Sequence, residues 1–410
     1  MELPIAAVTQ IGHFAGCELW PATPTFTASK QLEVAMKVEF ETIVIGAGQA
    51  GLAVGHQLAL LGQSFVILDA NARVGDSWRG RWDSLRVFTP AKFNGLPGMR
   101  FPAPRLSFPT KDEVADYMAA YAARFELPVR NNVRVDGVSR AGNRFVVTTS
   151  AEALMADNIV IATGATHTPR VPEFARGLDT SIVQMHSSAY KHPEQLREGA
   201  VLVVGAGNSG AEISFDLATR HHVLLSGTPA GQLPVPHGPA MAALVLPLVK
   251  FLGMHVLTMD TPVGRSVLPK MKGTPLIRMK LNDLKAAGVE RVARVTGVRE
   301  GLPMLADGST LEVANVIWCT GFRTDFDWVH LPAAFTPAGK PIQYRGVVAS
   351  EPGLYFVGLE HMYAAVSEVL PGVGRDANYI ARHIAIRPRL SRVDSEDRVV
   401  RRDPAELAVR

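Results

Sequence analysis

The run Thr42-Ile43-Val44-Ile45-Gly46-Ala47-Gly48-Gln49-Ala50-Gly51 decides how the rest of the chain is read. Ile43, Val44 and Ile45, led in by Phe40, make a continuous apolar stretch of the kind found in a strand covered on both faces. A G-x-G-x-x-G run follows at once, and Ala53 to Leu61 continues as a helix with few polar residues. Each glycine answers a separate need. Gly46 permits the tight turn out of the strand, Gly48 leaves no side chain between the backbone and a pyrophosphate, and Gly51 lets the helix pack closely on the strand. Gln49 and Ala50 lie between them, where unpaired helix N–H groups and the dipole favour phosphate. A second strand, Phe65-Val66-Ile67-Leu68, closes on Asp69, about where a carboxylate is needed to bind ribose hydroxyls. Strand, turn, helix and acid agree on a dinucleotide site.

The unit recurs. Val201-Leu202-Val203-Val204 leads into Gly205-Ala206-Gly207-Asn208-Ser209-Gly210 and a helix, then a strand Val223-Leu224-Leu225-Ser226. This is an internal repeat of one strand–turn–helix unit rather than of a short solenoid period. The second copy ends in Ser226-Gly227-Thr228, with no acid where Asp69 stands in the first. A carboxylate there would repel a 2′-phosphate, so its absence permits NADP and argues mildly against NAD. Arg220, His221 and His222 add nearby basic groups, for which a solvated loop is the commoner role.

Bulk properties narrow the class. A chain of 410 residues has room for two domains, and 47% hydrophobic with 20% charged residues is a globular composition. The net charge of +4 is small for this length, and no basic run interleaved with aromatics points to nucleic acid. Cys17 and Cys319 stand far apart, which excludes a disulfide scaffold and a C-x-x-C redox pair and fits a reducing cytoplasm. The scattered histidines show no metal-ligand spacing. No secretory pattern opens the chain, and residues 1–37 read as a leader without a packing face.

Between the two units, Val74-Gly75-Asp76-Ser77-Trp78-Arg79-Gly80-Arg81-Trp82-Asp83-Ser84-Leu85 reads either as a loop with two aromatics capping the core or as a lid over a flat ring system. Its position after a dinucleotide fingerprint favours the lid. Thr110 is placed to cap an amphipathic helix running to Phe125, and short strands alternate from Val129 to Val147. Asn158 to Ile161 is a further buried strand, ending in Ala162-Thr163-Gly164. Residues 241–257 are the most apolar segment; Pro247, Lys250 and His255 interrupt it, and it is short for a bilayer span. A buried helix or a channel wall is the expectation there, with membrane-surface docking as the alternative. Leu311 to Cys319 is strand-like and leads to Thr320-Gly321-Phe322, Leu354 to Gly358 is one more strand, and Gly372-Val373-Gly374-Arg375-Asp376-Ala377 opens a last helix. The mixed charges of residues 389–410 read as a tail.

Taken in this order, the motifs resemble the flavin-containing monooxygenases of the two-dinucleotide-binding class, closest to the YUCCA-type and bacterial members. The resemblance rests on Gly46 to Gly51, Gly75-Asp76-Ser77-Trp78, Ala162-Thr163-Gly164, Gly205 to Gly210 and Thr320-Gly321-Phe322, and spans nearly the whole chain. It implies an α/β fold of two Rossmann-like domains, the NADPH domain (169–317) inserted into a discontinuous FAD domain (38–168 and 318–388). It further implies NADPH- and O2-dependent oxygenation of a small organic substrate through a flavin C4a-(hydro)peroxide. The cofactor contacts it implies add Ser77, Trp78, Arg79, Val135, Ala162, Thr163, Gly164, Gly358, Gly374, Asp376, His186, Thr320 and Gly321 to those already named. The identifying motif F-x-G-x-x-x-H-x-x-x-[FYW] keeps His186 and Tyr190, but Thr180 and Ile182 replace its first aromatic and its glycine, leaving His186 either an ordinary surface histidine or a residue with a hinge or NADPH-side role. Thr89-Pro90 stands where animal-type members carry an asparagine, and Ser226 or Gly227 stands where an arginine often grips the 2′-phosphate. A reductase that passes electrons to a protein or quinone, and a non-catalytic nucleotide sensor, are the rival functions.

Overall fold

The computed structural model describes residues 39–165, 168–271 and 273–388; the expected leader and tail lie outside them. Strand β1 (Glu39–Ile45) turns at the first glycine run into α1 (Gln49–Leu60), and β2 (Phe65–Leu68) follows. The apolar run buries as expected, with Ile43 and Val44 at 0% exposure. A one-turn helix α2 (Asp76–Arg79) sits in the tryptophan-rich segment. Helix α3 (Lys111–Arg124) begins at Thr110, whose hydroxyl accepts from the Glu113 N–H while the Glu113 carboxylate accepts from the Thr110 N–H. Strands β3 (Val129–Arg130), β4 (Val135–Ala141), β5 (Arg144–Thr149) and β6 (Ala153–Ile161) complete this stretch.

The chain then crosses through β7 (Thr168–Pro169) to β8 (Val183–His186), β9 (Val201–Val204), α4 (Asn208–Leu217) and β10 (Val223–Ser226). Helices α5 (Leu246–Phe251), α6 (Pro262–Val267) and α7 (Leu281–Ala286) precede β11 (Glu290–Val292), β12 (Val295–Arg299), β13 (Leu302–Leu305) and β14 (Asn315–Trp318). The return runs through β15 (Phe322–Arg323) to β16 (Leu354–Phe356) and α8 (Leu370–Ala385).

Two sheets result. The first has seven strands in the order β3-β2-β1-β6-β5-β4, with β16 also on β6. Strand β6 does double duty: Ala153–Ala156 pairs antiparallel with β5, and Ile159–Ile161 pairs parallel with β16. The second sheet has five parallel strands, β11-β10-β9-β14-β8. Its strands all lie between β7 and β15, which pair antiparallel as Phe322 with Pro169 and Arg323 with Thr168. This is the inserted two-domain α/β arrangement. Each glycine run sits at the carboxyl end of a central strand, β1 or β9, where open α/β sheets bind ligands. Helix α8 returns to the first core, its Val373, Ala377 and Ile380 packing in one cluster with Leu52 and Ala53 of α1.

One expectation is corrected. Residues 241–256 are helical, with π-type turns on either side of α5, but they are buried on one side only. Met241, Ala242, Leu246 and Gly253 face inward, whereas Leu244, Leu248 and Phe251 are exposed at 76%, 58% and 57%. The apolar composition reflects two faces of which just one finds a partner among the described residues. Among the described residues no helix is long and apolar enough to cross a membrane.

Candidate functional site

The two glycine turns have the same geometry. Gly46 and Gly205 hold φ of +105° and +112°, a region open to glycine and strained for other residues. Gly48 and Gly207 hold φ/ψ of −75°/−173° and −76°/−173°. A β-carbon on Gly51 would lie 1.8 Å from the Gly46 oxygen, and one on Gly210 the same distance from the Gly205 oxygen. On Gly48 or Gly207 it would meet nothing within 4 Å. The outer glycines are therefore required by the protein itself, and the middle ones look onto open space where backbone can meet a pyrophosphate. A neighbouring strand end supports each turn: a β-carbon on Gly46 would meet the Ala162 oxygen at 2.7 Å, and one on Gly205 the Cys319 oxygen at 2.2 Å. Ala162-Thr163-Gly164 and Cys319-Thr320-Gly321 thus hold equivalent places, with Gly164 and Gly321 at φ of +79° and +78°.

At the first turn, one Asp69 oxygen accepts from the Ala47 N–H at 2.6 Å, and the other accepts from the Asn71 N–H and side-chain amide at 2.8 Å each. The acid expected to meet ribose therefore also clamps the turn itself. The Gln49 amide donates to the Glu368 carbonyl at 3.2 Å, and Gly358 lies against Ala50, where a β-carbon would come within 2.8 Å of the alanine methyl. Asp376 is 2% exposed, and neither carboxylate oxygen has a hydrogen-bond partner; Arg375 Nε stands 3.5 Å from one of them. Burial pushes its pKa up, and Ser367 and Arg375 nearby only moderate the shift. Burial, helped by Glu360, pushes Glu368 up to about 7. Thr163 Oγ1, Arg345 Nε and Arg375 Nη2 are likewise buried without hydrogen-bond partners among the described residues. The Arg345 guanidinium is held over the rings of Tyr363 and Tyr379, at 4.1 and 4.0 Å. Buried polar groups are nearly always satisfied, so this concentration of orphans fits a ligand rich in hydroxyl and carbonyl groups, such as the ribityl chain and ring of a flavin. Gly374 packs against Pro97, a β-carbon there falling 2.8 Å from the proline ring. Val135 opens β4, partly buried against the cluster that holds Leu68 and Val138.

The tryptophan-rich segment divides its contacts. Trp78 leans on the core beside α1, while Trp82, 6% exposed, is buried in the core beneath the second sheet. Trp82 is therefore a tether rather than a surface for ring stacking. Ser77 is exposed on α2. The Arg79 guanidinium donates to the Val74 carbonyl at 2.9 Å, to Asp76 at 3.2 Å and to Asp116 at 2.8 Å. It locks the segment onto α3.

At the second turn, two of the expected residues have their side chains engaged within the protein. Asn208 Nδ2 donates to the Pro275 carbonyl at 3.1 Å and its Oδ1 accepts from the Ile277 N–H at 3.2 Å, so the side chain stitches a remote loop to α4. Ser226, 1% exposed, donates to the Ala293 carbonyl and accepts from the Val295 N–H, at 3.0 Å each. Its hydroxyl faces inward and is fully engaged. Ser209, half-buried, stays in the first turn of α4. A residue the sequence reading missed stands nearby: Arg291, exposed on β11, donates to the Gly227 carbonyl at 2.9 Å. It puts a guanidinium at the end of β10, although the arginine comes from the neighbouring strand. Its only signal in the sequence was the pairing of Leu225 with Arg291, which needs the fold.

His186 ends β8. Its Nε2 lies 2.9 Å from the Gly321 oxygen, which also accepts from the Arg170 N–H at 3.0 Å. Its Nδ1 lies 2.9 Å from Ser188 Oγ and accepts from the Ser188 N–H at 3.2 Å. The ring therefore carries its proton on Nε2 and is neutral. Burial lowers its pKa, and the Arg81 charge adds to this against the opposing effect of the Gly321 carbonyl. Thr320 donates its hydroxyl to the Arg170 carbonyl, so both ends of the crossing are tied at one place.

A family model described as pyridine nucleotide-disulphide oxidoreductase matches residues 43–228. The chain is 39% identical over 346 residues to a protein of Geobacillus kaustophilus named uncharacterized oxidoreductase CzcO-like, covering 84% of this chain and 98% of that one. It is 29% identical over 379 residues to the indole-3-pyruvate monooxygenase YUCCA1 of Oryza sativa, covering 83% and 90%. Among solved structures it superposes on a flavin-containing monooxygenase from Stenotrophomonas maltophilia with a TM-score of 0.67 at 28% identity, covering 85% and 98%.

Proposed function

Because the chain belongs to the flavin-containing monooxygenase family, we propose that it oxygenates a small organic substrate by way of a flavin C4a-(hydro)peroxide, in the cytoplasm. It is a flavin-dependent oxidoreductase with FAD and NADPH as cofactors. The observation that supports this reading best is the duplicated turn: one chain offers two open cradles of matching geometry, one backed by Asp69 and the other by Ser226 and Arg291. FAD would take the first, with Gly46, Gly48 and Gly51 at its pyrophosphate and Asp376 and Thr163 meeting its hydroxyl and ring groups. NADPH would take the second.

Bound flavin supplies hydride acceptance and reaction with O2. The protein's part is to bind, orient and keep water out. Trp78 and Trp82 anchor the Gly75–Leu85 segment to both cores, which would place it to cover the bound cofactors. The test is stopped-flow mixing of NADPH-reduced protein with O2, followed by a product screen over amines, sulfides, ketones and 2-oxo acids. A C4a-adduct absorbance that precedes oxidised flavin, with oxygen gained by one substrate, is the expected result. Reoxidation in one step with no oxygenated product would transfer the chain to the reductase reading.

A further inference from the structure

Residues 91–105 contain Lys92, Arg100 and Arg105 and no acid. This proline-rich loop is firmly held. The Tyr117 hydroxyl accepts from the Leu96 N–H and donates to the Met99 carbonyl, at 2.7 Å each, and the Tyr121 hydroxyl donates to the Pro97 carbonyl at 2.7 Å. Between the loop, the start of α8 at Pro371 and Lys250 of α5 lies a half-open pocket of about 570 Å³, within the range of small-molecule sites. Four of its lining residues are cationic (Lys92, Arg100, Arg105 and Lys250), and among the described residues no carboxylate lines it. Two of the ammonium groups are brought to one aromatic ring: Lys92 Nζ is 4.8 Å and Lys250 Nζ 4.6 Å from the centroid of Phe93. An anion placed in this partly desolvated cleft would meet cationic groups from two separate elements. Burial already holds the Lys250 ammonium below its ordinary range, which a bound anion would relieve. The floor is apolar, formed by Phe93, Leu96, Met99 and Phe101.

We propose that this pocket, separate from both glycine turns, binds an organic anion: a carboxylate, phosphate or sulfate head on an apolar body. The head would sit among the four cations and the body on the Phe93–Phe101 floor. Such a ligand comes either dissolved or as the headgroup end of a bilayer lipid, and the two are separated by the probes. The flavin-loaded protein is titrated calorimetrically with sodium decanoate and with decanol, and sedimented with phosphatidylglycerol and phosphatidylcholine vesicles. Decanoate should bind at least tenfold more tightly than decanol, and Lys250→Glu should weaken it tenfold or more with thermal stability and flavin content unchanged. Lys250→Arg should retain binding, and added salt should weaken it. If Lys250→Glu does not fold, Lys92→Gln with Lys250→Gln serves instead. Decanoate binding without sedimentation assigns a dissolved ligand; sedimentation with phosphatidylglycerol alone, lost in the same variant, assigns a lipid headgroup. Equal binding of decanoate and decanol, no binding of either probe or vesicle, or binding untouched by loss of the lysine charges would overturn the site.

Discussion

The imidazole of His186 and the carbonyl of Gly321 stand 2.9 Å apart, which ties the end of an outer strand of the second sheet to the crossing by which the chain returns to the first. The bond needs a proton on Nε2, and Ser188 occupies Nδ1 as a donor, so a second proton on the ring would face an N–H. The folded pKa is lowered from 6.5, mainly by burial. A base with a depressed folded pKa lets the unfolded chain bind more protons, so its contribution is complete above about 6.5 and falls as pH drops through the folded value. Thermal unfolding followed from pH 7.5 to 5 should show a smaller pH dependence in His186→Gln than in the parent chain. Identical slopes would mean that His186 titrates as it does in solvent.

The middle and last glycines of the first turn predict opposite failures. Gly48→Val points a side chain into open space, so the protein should fold with near-parental thermal stability and yet purify without FAD. Gly51→Ala drives a methyl to 1.8 Å from the Gly46 oxygen and should cost on the order of 3 kcal/mol or more, with insoluble protein as the readout. Normal flavin content in Gly48→Val would remove the pyrophosphate assignment.

Arg291 carries the preference for a 2′-phosphate in this reading. Arg291→Ala should raise the KM for NADPH about tenfold or more, the loss of one charge-assisted contact, and leave that for NADH within about twofold. Equal effects on both nucleotides in steady-state kinetics would show that the arginine only braces Gly227.

Asp376 should behave as a group kept for its ligand at the expense of the empty protein. Neutralising a buried acid relieves desolvation but gives up its ion pair with Arg375, so Asp376→Asn apoprotein should melt near the parental temperature. Its FAD affinity should fall by about 1–3 kcal/mol, measured by fluorescence titration. A variant that loses stability and keeps its flavin affinity would assign the residue to the fold.

Much of this was legible because it is local. The strand–glycine–helix runs carry period, turn and phosphate logic within ten residues, and the Thr110 cap with Glu113 spans one helical turn. What escaped depends on partners remote in the sequence. Asn208 and Ser226 looked available until residues 274–277 and 293–295 came to meet their side chains. Arg291 gained its place through strand register alone. Trp82 looked like a partner for Trp78, but it packs into a different core. Residues 241–256 show the same limit from the other side: apolar composition measures how much a segment gains from cover and says nothing about which face receives it.

The pairing of β7 with β15 brings together the two points at which the chain leaves and rejoins the first sheet. A cassette whose ends are neighbours can grow, shrink or be exchanged without moving its host, since no change in its length alters the span it must bridge. Each crossing also runs through a glycine with φ near +80° whose side-chain direction is empty. Interchange is thus served by a two-residue ribbon that closes the cassette where it begins and ends.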